Sequence, residues 1–122
     1  MQNYREEIKE TLEGIVTDIP FKVKMAFPQS VSDGNIISYF ELTNISTAVS
    51  TVDDISYQID LWFFDVEKLF TMLSLVDEAM TAKGFLRQFV SPDSMLHDQS
   101  GYLRKSMRYG RRVDTLTNRL ID

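Results

Sequence analysis

An α+β domain with two helices packed on one face of a mostly antiparallel, mixed β-sheet, in the order α-β-β-β-α-β-β, is the fold predicted by three features of the sequence. Two segments, 4–16 and 66–80, space their apolar residues by three and four, as a helix with one buried face does. The segments between and after them alternate apolar and polar residues with a period of two, as half-buried strands do. Two of those strands follow the second helical segment with no helix between them, which disfavours a doubly wound parallel sheet. The passage from the third strand through the second helix to the fourth is expected to contribute one parallel pair.

In chain order, Tyr4, Ile8, Leu12, Ile15 and Val16 form the apolar stripe of the first helix, which Pro20 ends by residue 19. Phe21, Val23 and Met25 then alternate with Lys22, Lys24 and Ala26, a short strand with a basic wet face closed by Pro28. Residues 29–35, QSVSDGN, read as a turn or exposed loop. IISYFELTNI is a central strand, with Ile37 and Tyr39 opposing Phe40 and Leu42. Residues 46–54 read as a polar connector holding Asp53 and Asp54. Tyr57, Ile59, Leu61 and Phe63 follow on one face of a strand, with Ser56, Gln58 and Asp60, then Trp62 and Phe64, on the other.

Asp65 is placed to cap the second helix, whose apolar face is Val66, Leu69, Phe70, Leu73, Val76 and Met80, with Gly84 at its C-terminal cap. GFLRQFVS returns to extended chain up to Pro92, and SPDSMLHDQSG is a loop. In YLRKSMRYG, Leu103, Met107 and Tyr109 share one face, and Arg104 and Arg108 the other, where they face Asp60 or a loop carboxylate. RRVDTLTNRLID reads as a fraying edge or short terminal element.

The 122 residues are read as a single domain, 1–122, too short for the usual two-domain enzyme layouts. An apolar content of 43% and a mean hydropathy of −0.17 indicate a globular chain rather than a disordered or membrane-embedded one. No run of 18 apolar residues is present, and MQNYREEIKE is too charged for a secretory signal, so no membrane role or export is expected. The absence of cysteine excludes disulfides, thiolate nucleophiles and cysteine-based metal sites. The net charge of −5 is unevenly distributed. Residues 1–86 carry 6 Lys or Arg against 14 Asp or Glu, whereas residues 87–122 carry 7 against 4. Arg104, Lys105, Arg108, Arg111 and Arg112 fall within nine residues, a basic segment that can pair within the domain, with another copy, or with nucleic acid.

Catalytic chemistry has little to draw on. His97 is the sole histidine and reads first as a solvated loop side chain; Ser94, His97 and Asp98 share one short loop with no nucleophile elbow. Asp33, Asp53 and Asp54 match neither an EF-hand nor a zinc motif, and the five glycines match no phosphate-binding pattern. No catalytic, cofactor-binding or metal-binding residue is therefore assigned, and no cofactor is expected. Trp62 and Phe64 carry more information, because a wet sheet face ends in large aromatics where a loop, a terminus or another subunit covers it. Lateral association of copies, acidic edge to basic edge, accounts for the aromatic pair and the charge asymmetry together. The candidate interface is Asp53, Asp54, Asp60, Trp62, Phe64, His97, Arg104, Arg108, Arg111 and Arg112.

The order of elements, with ISYFEL, SYQIDLWFF running into Asp65, Gly84-Phe85 and YLRKSMRYG, resembles the tail terminator, or tail completion, proteins of long-tailed bacteriophages and prophages over residues 4–112. That resemblance implies a non-enzymatic subunit forming a ring, usually sixfold, on the head-proximal end of the tail tube. The ring stops tube polymerisation and offers the surface for head joining. It implies as partners further copies of the chain, the major tail tube protein and a head completion or connector protein, with DNA passing without sequence-specific binding. It also implies assembly in the bacterial host cytoplasm and a place in the virion tail, with residues 91–102 and 46–54 as contact loops by position. A head completion protein of the same particle is the neighbouring alternative, a nucleic-acid-binding regulator using residues 104–112 a second, and a hydrolase built on His97 a third.

Overall fold

The structure, a computed structural model, describes residues 4–25, 35–46, 52–91, 103–114 and 119–120. Helix α1 (Arg5–Glu13) and strands β1 (Lys22–Met25), β2 (Ile36–Ser46) and β3 (Val52–Phe63) precede helix α2 (Val66–Ala82). Strands β4 (Leu86–Val90), β5 (Leu103–Asp114) and β6 (Arg119–Leu120) complete the described elements. The architecture is the expected α+β one, two helices on a mixed, mostly antiparallel sheet. Its strand order is β1-β2-β3-β5-β4, with β6 also paired to β5.

The parallel pair is β1 with β2 rather than a product of the α2 crossover. β5 enters between β3 and β4, antiparallel to both, so the strand that follows α2 ends at the sheet edge. The long β2-β3 and β3-β5 ladders form the centre.

Local chemistry accounts for α2. The Asp65 carboxylate accepts the Glu67 and Lys68 amides at 2.9 and 3.2 Å, satisfying two of the donors a helix start leaves open. Gly84, at φ 87°, takes the left-handed conformation that lets the Phe85 amide turn back to the Met80 carbonyl. Phe85 is thereby buried. The buried stripe of α2 is Leu69, Met72, Leu73, Val76 and Met80, rotated toward Met72 from the expected face. Val66 and Phe70, expected in the core, stand at its margin, 46% and 42% exposed.

Both helices cover the sheet face carrying Ile55, Tyr57, Ile59, Leu61 and Phe63 of β3 and Leu103, Met107, Tyr109 and Val113 of β5. From α1, Ile8 and Leu12 join this core together with Tyr4 just before the helix, and Phe21 and Val23 of the β1 region flank it. Met25, at the end of a four-residue edge strand with a neighbour on one side, is 59% exposed rather than packed. β3 begins at Val52, so Asp53 and Asp54 belong to the ladder opposite Val113 and Arg112 and not to a connector. Likewise β5 runs on to Asp114 and β6 pairs with its end, where a fraying terminus was expected.

Candidate functional site

The face of the sheet away from the helices is organised in rows across the strands. Ile36, Trp62 and Arg104 form one, and Ser38, Asp60 and Ser106 the next. Phe40, Gln58, Arg108 and Phe89 follow, then Thr43, Ser56, Gly110 and Leu86. The second row is the deepest. Asp60 is fully buried, with Ser106 Oγ donating to its Oδ1 in a very short hydrogen bond and Gln58 Nε2 donating to the same atom at 3.0 Å. Arg104 Nη2 lies 3.7 Å from that oxygen, while Oδ2 is buried without a hydrogen-bond partner among the described residues. Trp62 Nε1 donates to Ser38 Oγ at 3.0 Å, and the Arg104 guanidinium lies 4.9 Å from the Trp62 ring centroid. This row is buried with no described helix above it, and Trp62, Arg104 and Gln58 flank it.

The basic segment of β5 divides between the two faces. Arg111, on the helix side, meets Glu7 of α1 through two bonds of 2.8 and 3.1 Å and donates to the Lys83 carbonyl at 3.0 Å. Its guanidinium lies 4.7 Å from the Phe85 centroid, so it fastens α1 to the end of α2. Lys105 is buried with its ammonium 5.8 Å from the Phe70 centroid. On the open face, Arg112 Nε donates to Asp54 at 2.9 Å in an exposed pair, worth little by itself. Arg108 Nε donates to Gln58 Oε1 at 3.3 Å, and its guanidinium lies 5.3 Å from the Phe89 centroid.

Under the helices, burial raises the phenol pKa values of Tyr57 and Tyr109 far above their ordinary 10.0. For Tyr109, the hydrogen bond to Asp77 and that carboxylate's charge add to the effect, its hydroxyl donating to Asp77 Oδ1 at 2.8 Å. Burial likewise raises Tyr4, with Asp53 adding to it, and Tyr39, with Glu6 adding to it. All four phenols therefore stay protonated well past neutrality, and Tyr109 serves as a donor to Asp77.

The expected interface residues thus have different fates. Asp60 is interior, Asp53 is buried beside Tyr4, and Arg111 is fastened to Glu7. Trp62, expected to be covered by a loop, a terminus or another subunit, is buried, its indole donating to Ser38 and its ring lying against Arg104. Phe64 remains 60% exposed, Arg108 and Arg112 are exposed, and Arg104 is partly so. Asp33, Ser94, His97 and Asp98 lie outside the described residues. Among the described residues, no group of three or more acidic, histidine or cysteine side chains is placed to hold a metal ion, and no helix is long and apolar enough to cross a membrane. A groove of about 990 Å³ passes Thr43, Ser56, Gly110, Leu86, Gln88 and Arg112.

Sequence reasoning passed over Leu86, Phe89 and Val90 on edge strand β4, which are 73%, 42% and 38% exposed. Three large apolar residues among five in LRQFV were the available signal, but the strand's position at the edge was not. No family model matches the chain, and no curated protein matches it.

Proposed function

We propose that this chain is a non-enzymatic assembly subunit that packs side by side with copies of itself into a closed ring, of the tail terminator kind. The observation that carries the self-association is the exposure of large apolar side chains in two stretches. Phe64, Val66 and Phe70 lie where β3 passes into α2, and Leu86, Phe89 and Val90 lie on β4. Large apolar side chains left exposed close together in the chain are a mark of contact surfaces. A repeated asymmetric contact that closes on itself gives a ring.

The phage half of the reading is supported by the resemblance of the element order and of ISYFEL, SYQIDLWFF and YLRKSMRYG to tail terminators. In that reading the ring is hexameric and sits on the head-proximal end of the tail tube. It binds the major tail tube protein on one side and a head completion or connector protein on the other, with DNA passing through. The internal pairing of Arg104, Arg111 and Arg112 removes much of the charge on which a nucleic-acid-binding reading leans. Adding the purified chain to polymerising tail tube protein tests the proposal. Growth is expected to stop, with the chain at one end of each tube; unchanged tube lengths with no bound chain would overturn it.

A further inference from the structure

Resting on the ring reading, a specific contact between neighbouring copies can be assigned from what each edge of the sheet leaves uncompensated. Arg108 has no carboxylate partner among the described residues, unlike Arg104, Arg111 and Arg112. It is exposed, yet its guanidinium is held on two sides, by the buried Gln58 amide at Nε and by the Phe89 ring. Neither neutralises it, and the two terminal nitrogens retain the planar pair of donors that suits a carboxylate. Around it, Phe89 and Leu86 supply exposed apolar surface.

At the opposite edge, α1 packs over β1 and β2. Glu6, Glu10 and Glu13 are exposed, and none forms an ion pair among the described residues. Their spacing of four and three puts them on one face of α1, with half-buried Lys9 as the basic residue beside them. Exposed Val16 lies three residues beyond Glu13 in the chain. One edge therefore presents a cation held by Gln58 and Phe89, and the other presents carboxylates.

We infer that Arg108, clamped between Gln58 and Phe89, receives a carboxylate from Glu10 or Glu13 on α1 of a neighbouring copy of this chain. The contact is asymmetric, so each copy offers one half at each edge, as a closed ring requires.

Complementation tests it. Arg108→Glu in one chain, and Glu10→Arg with Glu13→Arg in another, are each expected to weaken self-association more than about ten-fold. All three changes lie at exposed positions, and arginine in the last turn of α1 suits the helix dipole, so circular dichroism and melting should match the wild type. Mixed in equal amounts, the two variants set the carboxylate introduced at position 108 of one chain against the reversed α1 of the other, and the native Arg108 of the second against the native α1 of the first. Association should then return to near the wild-type strength. Arg108→Gln serves as a second probe, weakening association less than the reversal and gaining nothing from the reversed α1. Variants that associate as the wild type does, or a mixture that stays apart, would overturn the pairing while leaving the ring reading standing. A wild-type chain that never associates would instead remove the ring reading itself.

Discussion

On the helix side of the sheet, Tyr57, Ile59, Leu61 and Phe63 are shut away by α1 and α2, whereas on the open side Asp60, Ser38 and Ser106 are as deeply buried with no described helix above them. The first face is buried by apolar area, a driving force without direction that tolerates many arrangements of the same side chains. The second is organised by directional polar contacts: Gln58, Ser106 and Arg104 converge on one carboxylate, and Trp62 is fixed to Ser38. The polar row is only partly satisfied, since Asp60 Oδ2 is buried without a hydrogen-bond partner among the described residues. Arg108 and Phe89 stand one row further out, at the margin of this network.

The contrast can be broken at several points. Leu61→Ala, at the centre of the helix-covered face, should have the largest effect, a loss of about 3 kcal/mol in urea denaturation. Asp60→Asn should follow, at about 2 kcal/mol, because the neutral amide weakens the bonds from Ser106 and Gln58 and leaves Arg104 without its buried counter-charge. An Asp60→Asn protein as stable as the wild type would mean that the open face is held by packing alone.

The tyrosines sharpen the comparison within the helix-covered face. Tyr109→Phe loses the bond to Asp77 and should cost about 1 kcal/mol, while Tyr57→Phe removes a buried hydroxyl with no hydrogen-bond partner among the described residues and should cost almost nothing. Both phenols have folded pKa values raised above 10.0, so their contribution is fully present below pH 10. It is lost as the pH climbs further, because the unfolded chain ionises first. Stability measured from pH 9 to 11 should fall, and should fall less steeply in either Phe variant. Arg108→Glu should also change stability little, by less than about 0.5 kcal/mol, its side chain being exposed and joined to the Asp60 network only through a long bond of 3.3 Å to Gln58.

Strand periodicity made the helix-covered face legible, because Tyr57, Ile59, Leu61 and Phe63 alternate without exception and Asp65 announces the helix that covers them. The same alternation misled on the open face. Ser56, Gln58 and Asp60 look like solvent-facing residues until the register brings Ser106 opposite Asp60 and Arg104 opposite Trp62, and register over that separation is not written in local pattern. The pairing of Arg104 with Asp60 was legible because opposite charges on one face of neighbouring strands attract across the ladder. Arg111 was not: its partner Glu7 lies 104 residues away on α1, and the helix stripe that places Glu7 toward the sheet gives no sign of which strand end it meets. Edge position also escaped the sequence, so the apolar surface of β4 emerged from topology.

Sedimentation velocity of the wild-type chain across a wide concentration range addresses the side-by-side packing most directly. The account predicts a monomer giving way to one discrete closed species of fixed stoichiometry, with Phe64→Ser or Phe89→Ser shifting that transition to higher concentration. A monomer at every concentration, with Phe64, Leu86 and Phe89 remaining in water, would contradict it.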